Sequence, residues 1–106
     1  MGKINLNISH SLPIEEARKR VEALLGYWSR KYNVQTKWAG DLVTFAGKQM
    51  GINIDGRLTI SAGKLVGDAA DPGFLLRGQA EKYLQKKFAN YLDPKKTLAD
   101  LAREDP

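Results

Sequence analysis

The residues in this chain that could do chemistry are few. His10 is the only histidine, and it stands just ahead of Glu15 and Glu16. With one imidazole and no cysteine, no common zinc site can be completed. A Ser-His-Asp arrangement would rest on His10 alone, and there is no G-x-S-x-G elbow to present a serine. Glu15 and Glu16 are neighbours on a predicted helix and point about 100° apart, so they do not form a paired-carboxylate site. "AGKQ" (46–49) and "AGKL" (62–65) superficially resemble phosphate-binding loops, but both lack the upstream glycine and the following Ser or Thr. They read as turns. Asp68 and Asp71 lie in a segment without the oxygen ladder of a calcium loop. No catalytic, cofactor-binding or metal-ligating residue is assigned, no cofactor is expected, and the chain reads as a non-enzyme.

Charge is the stronger signal. The net charge is +5, and residues 74–96 alone carry Arg77, Lys82, Lys86, Lys87, Lys95 and Lys96 against Glu81 and Asp93. A basic element of this kind is either a solvated helix face or an attraction for anionic lipid, acidic protein or nucleic acid. The candidate binding residues are therefore Lys82, Lys86 and Lys87, with Phe88 and Tyr91 beside them.

The elements that must position these residues follow from periodicity. Ile4, Leu6 and Ile8 alternate with Asn5 and Asn7, a strand with one buried face. Ser11 is read as an N-cap and Pro13 as part of the first turn of a helix. Its stripe is Ile14, Ala17, Val21, Leu24, Leu25, Trp28 and Tyr32, and its polar face pairs Glu15 with Lys19 and Glu16 with Arg20. His10 falls at the strand-to-helix corner, where its expected task is to hydrogen-bond neighbouring backbone. Asn33 stops the helix. Four strands are then predicted: Val34 to Trp38, "LVTFA" (42–46), "MGINI" (50–54) and "RLTISA" (57–62). Their turns are "AGD", "GKQ" and, as the strongest hairpin signal, Asp55-Gly56. Gly51 inside the fourth strand marks a bulge or a close backbone approach, with the sheet curved there. Residues 63–73 lack a sustained period, though Leu65 and Val66 could extend the sheet and "DPG" reads as a turn. Leu76, Ala80, Tyr83, Leu84, Phe88, Tyr91 and Leu92 then recur at helical spacing until Asp93-Pro94. This stripe is wider than the first helix needs and has Lys87 inside it. It could pack on the first helix, close a pocket or make a dimer.

The order is β-α-β-β-β-β-α, an α+β fold in which two helices pack on one face of a curved antiparallel sheet. This order resembles the TATA-box-binding-protein-like fold. Residues 1–92 are read as a single α+β domain and 93–106 as a partly mobile C-terminal tail with room for a short helix. The outward strand positions are expected to be Asn5, Asn7, Gln35, Lys37, Asn53, Asp55, Thr59 and Ser61, with Val43 and Phe45 the only apolar candidates. Such a neutral face, poor in aromatics, does not suit base stacking. Trp28, Trp38, Tyr32, Tyr83, Phe74 and Phe88 are assigned to the core, which could still enclose a small apolar cavity. No apolar run approaches the roughly 20 residues of a membrane-spanning helix, and without cysteine or a signal-peptide layout the expected setting is cytoplasmic.

"KINLNISHSLPIEEARKRVEALL", "WAGD" and "FAGKQMGINIDGRLTIS" together resemble the polyhydroxyalkanoic acid system protein family, small bacterial proteins associated with polyhydroxyalkanoate granules. The resemblance covers residues 3–62 well, including H-x-L at His10 and Leu12 and E-A at Glu16 and Ala17. It implies a cytoplasmic, non-enzymatic protein whose partner is a polyhydroxyalkanoate granule or a granule-associated protein, bound at the granule surface or holding an apolar ligand. The alternatives are a nucleic-acid-binding module that uses the basic C-terminal helix, with nucleic acid the less favoured partner, and a homodimeric adaptor.

Overall fold

The computed structural model describes residues 3–49, 52–70 and 74–104, apart from the side chains of 49, 52–54 and 74–76. Its elements are β1 (Lys3–Ser9), α1 (Ile14–Tyr32), β2 (Gln35–Ala39), β3 (Leu42–Gln49), β4 (Ile52–Ser61), β5 (Lys64–Ala70), α2 (Phe74–Tyr91) and α3 (Leu98–Glu104). The expected α+β order is present, with one further short helix. All strands pair antiparallel in one sheet ordered β1-β5-β4-β3-β2.

Register places Ile4, Leu6 and Ile8 of β1, Leu65 and Ala69 of β5, Leu58 and Ile60 of β4, and Val43 and Phe45 of β3 on a single face. All are buried. Against them α1 packs across β2, β3 and β4, and α2 runs along β1. Ala17, Val21, Leu24, Leu25 and Trp28 of α1 and Phe88, Tyr91 and Leu92 from the end of α2 complete one core cluster. Trp28 is its hub, with ring centroids 5.7 Å from Phe88 in an edge contact and 6.2 Å from Phe45. Trp38 and Tyr32 are half-buried against the same cluster.

Five strands are present, with boundaries that differ from those expected. The "GKQ" segment is not a turn; β3 runs through it, with Gly47 opposite Ile54 and Lys48 opposite Asn53. Asp55-Gly56 is not a hairpin either, since both residues lie inside β4. Gly56 has glycine for room: a Cβ there would stand 2.4 Å from Phe45 Cζ and 2.7 Å from the Asp68 carbonyl oxygen. The hairpin turn that joins β4 to β5 falls instead at Ala62-Gly63, where Gly63 has the positive φ of 81° that a tight turn requires. Residues 64–70, read as largely aperiodic, form the fifth strand. The expected positions of Met50, Gly51, the "DPG" turn and the side chains of Ile52, Ile54, Phe74 and Leu76 lie outside the described residues.

The start of α1 also differs from expectation. Pro13 is the N-cap, with φ −57° and ψ 150°, and its carbonyl accepts the Ala17 N–H. Ser11 lies two residues further out, beyond reach of the first-turn N–H groups, and makes no cap. Glu15 and Glu16 still face the positive end of the helix dipole, while Arg30 and Lys31 occupy the last turn. Asn33 closes the helix in the left-handed conformation and donates its N–H to the Ser29 carbonyl.

Arg20, assigned to the polar face of α1, is 5% exposed. Its Nε donates to Glu16, and its two Nη groups donate to the carbonyls of Tyr91 (3.2 Å), Asp93 (2.7 Å) and Lys96 (2.6 Å). These include carbonyls at and just beyond the C-terminal end of α2, whose own last turn has no basic residue. Arg20 therefore caps α2 from another helix. Beyond it, Thr97 and Asp100 form a reciprocal capping box for α3, and Leu101 enters the core at 1% exposure. Residues 93–104, read as a tail, are thus tied down by Arg20, by Leu101 and by Lys96 bound to Glu104.

Candidate functional site

The five candidate binding residues of α2 occupy two environments. Phe88 and Tyr91 are buried in the core, so they present no surface to a partner. Lys82 and Lys86 are exposed, and Lys87 is half-buried. Lys87, which lies inside the apolar stripe, has its Nζ 5.7 Å from the Tyr27 ring centroid and 5.9 Å from that of Tyr83. Lys31 of α1 approaches Tyr27 as well, at 5.5 Å. Two ammonium groups from different helices thus converge on Tyr27 at the α1/α2 seam. Tyr27, chiefly by hydrogen bonding, holds the Lys31 ammonium above the usual lysine range.

Tyr83 departs from its expected core role, at 41% exposure. The Trp28 indole N–H donates to its hydroxyl at 3.3 Å. Partial burial pushes its phenol above the ordinary tyrosine value, against the lowering effects of Trp28 and Lys87, so it is a neutral hydroxyl at neutral pH. The outer face of the helix layer is therefore a basic surface around one anchored aromatic. Its apolar stripe is spent inside.

His10 is a corner residue. Its Nδ1 accepts the Leu12 N–H at 3.1 Å, which leaves Nε2 as the donor to the Ser61 carbonyl, also at 3.1 Å. Its own N–H donates to the Gly63 carbonyl. The imidazole thus hydrogen-bonds backbone as expected, and it does more than fix its own turn, because it fastens the β1-α1 junction to the β4-β5 hairpin. Among the described residues no three metal-ligating side chains converge.

The surface whose character sequence reasoning misjudged is the opposite face of the sheet, which neither α1 nor α2 covers. Val43 and Phe45, expected outward, are buried, and Leu42, Thr44, Ala46 and Lys48 take the outward positions of β3. β5 adds Lys64, Val66, Asp68 and Ala70, and β1 adds Lys3. The neutral face expected from sequence is in fact basic: Lys3, Lys37, Lys48, Arg57 and Lys64 outnumber Asp55 and Asp68. Register arranges it in rows across all five strands. One row reads Lys37, Thr44, Arg57, Asp68, Asn5; the next reads Ala39, Leu42, Thr59, Val66, Asn7. Leu42 and Val66 are 38% and 42% exposed. Asp68 binds Arg57 Nε at 3.3 Å and Lys3 at 3.8 Å. Over the Lys37-to-Asp68 part of the first row and the adjoining Gln35, Ala46, Asp55, Ala70 and Lys3, the face forms an open concavity of about 600 Å³.

No helix among the described residues is long and apolar enough to cross a membrane. No curated protein and no solved structure matches the chain. A family model described as "Putative polyhydroxyalkanoic acid system protein" matches residues 4–95, which takes in the whole sheet, both long helices and the basic seam, and stops short of α3. With that match spanning most of its length, the chain belongs to the polyhydroxyalkanoic acid system protein family.

Proposed function

We propose that the protein is a non-catalytic, cytoplasmic component of the polyhydroxyalkanoate system that binds at the granule surface through the outer face of α2. One observation carries the reading: Lys82, Lys86 and Lys87 lie within about one turn of the exposed Tyr83, and Lys31 joins Lys87 at the seam. Because Phe88, Tyr91 and Leu92 are committed to the core, the contact is made by cations around a single aromatic, not by an inserted apolar helix face. Such contacts are screened over about 8 Å at physiological ionic strength. Family membership supplies the polyester granule as the setting.

The test is co-sedimentation of the purified protein with isolated granules at low and high salt. The expected result is pelleting at low salt, loss at high salt, and loss in a variant carrying Lys82→Ala, Lys86→Ala and Lys87→Ala. Absence of pelleting at low salt, or equal pelleting of the triple variant, overturns the reading. Tighter binding of nucleic acid than of granules, dependent on the same lysines, would replace it with the nucleic-acid alternative.

A further inference from the structure

We infer that the uncovered sheet face binds the carboxylate-bearing end of a short linear hydroxyalkanoate oligoester. The inference rests on the polyester chemistry of the proposed function but not on its helix face, which lies on the other side of the molecule. Five strands at about 4.8 Å spacing make a trough roughly 19 Å across from β2 to β1. Along it runs a row of donors, Lys37, Thr44 and Arg57. Arg57 is held through Nε by Asp68, which leaves its Nη groups for an incoming oxyanion. A carboxylate over Thr44 has Lys37 on one side and Arg57 on the other, each about one strand spacing away.

The rows on either side of these donors carry apolar side chains next to their central β4 residue: Ala46 beside Asp55 on one, Leu42 and Val66 flanking Thr59 on the other. A polyester of hydroxy acids has the matching pattern, with ester oxygens along its backbone and alkyl branches to the sides. The oxygens accept hydrogen bonds from the polar row while the branches cover exposed Leu42 and Val66. A nucleobase finds nothing to stack on, because every outward position described on this face is non-aromatic. An apolar ligand without an anion would cover Lys37 without a counter-charge and leave Arg57 with Asp68 alone.

The test is an amide-resolved NMR titration of the full chain with a tetramer of 3-hydroxybutanoic acid, its methyl ester, and octanoate. The expected outcome is that shifts for the free acid concentrate at residues 37, 44, 57 and 68, with at least tenfold weaker binding of the ester and of octanoate. A Lys37→Ala/Arg57→Ala variant, whose fold is checked by its thermal melt, should bind the tetramer at least tenfold more weakly. The Lys82/Lys86/Lys87 alanine variant should bind it unchanged, so that a failed granule contact and a failed sheet site give different results. Shifts centred on the helices, or none, overturn the inference. So does equal affinity for acid and ester, or for tetramer and octanoate.

Discussion

Replacing Arg20 with alanine tests whether one side chain of α1 organises the C-terminal end of the fold. The Arg20 side chain is 6% exposed, and its guanidinium serves four acceptors: the Glu16 carboxylate and the carbonyls of Tyr91, Asp93 and Lys96. Its loss strands the Tyr91 carbonyl in a buried site and the other two in partly buried ones. A stranded buried acceptor costs about 1–3 kcal/mol, while the Glu16 carboxylate left behind is 36% exposed and recovers water. Some carbonyls will recover water through the space left by the side chain, so the expected loss is about 3–5 kcal/mol. Against a typical total stability of about 5–15 kcal/mol, that is a large fraction. At roughly 4 °C per kcal/mol for a chain of this size, the melting temperature should fall by about 12 °C or more. Urea unfolding followed by circular dichroism measures the loss, and amide exchange shows where it acts. Protection in α3 and residues 91–97 should collapse before protection in the sheet. Arg20→Lys should recover only part, because one ammonium cannot span the three carbonyls that the fork reaches. A loss below about 1 kcal/mol for Arg20→Ala, or uniform loss of protection, would refute the capping argument.

Two further outcomes follow from the same geometry. Gly56→Ala should destabilise by about 1–3 kcal/mol through overpacking against Phe45; adding Phe45→Leu should recover part of this, and strict additivity in a double-mutant cycle by urea unfolding would count against the close approach. The Asp100 carboxyl is held below the usual range, first by the Thr97 N–H and then by the Thr97 hydroxyl and Arg103. Its stabilisation of α3 is therefore present above the unfolded-state value and lost as pH falls through the folded one. NMR of the α3 amides in an acid titration should show that end loosening, and Asp100→Asn should remove the pH dependence.

What the sequence made legible was periodicity. Ile4, Leu6 and Ile8, and the stripe from Ala17 to Trp28, bury as their spacing predicts because nothing local competes with those patterns. Glycine was the main source of error. Asp55-Gly56 has the composition of a turn, yet Gly56 answers to a ring on the neighbouring strand, a long-range cause that a local signal cannot carry. That one misplaced turn split β4 and hid β5, so the outward residues of β5 were left off a face on which Asn5, Asn7, Gln35, Lys37, Asp55, Thr59 and Ser61 stand as expected. The alternation in "LVTFA" fits either phase, and only the packing of Phe45 on Trp28 decides it. Arg20 was misread for a related reason: Glu16 at i−4 is a sufficient partner on a bare helix, and the three carbonyls it also serves lie more than 70 positions away. Of the binding residues proposed from α2, the lysines reach the surface while Phe88 and Tyr91 do not, because the stripe was wide enough to serve the core alone.

The pairing of β1 with β5 also bears on how the chain folds as it is made. Ser9 meets Lys64 and Lys3 meets Ala70, so β1 must wait for residues 64–70 to be made before it has a partner. The hairpins β2-β3, β3-β4 and β4-β5 close locally, whereas β1 joins only after a loop of more than fifty residues has been drawn together. A nascent chain that has not yet reached residue 64 thus carries Ile4, Leu6 and Ile8 with no strand to cover their backbone. That interval is when the protein is most open to a chaperone or to pairing with a second nascent copy.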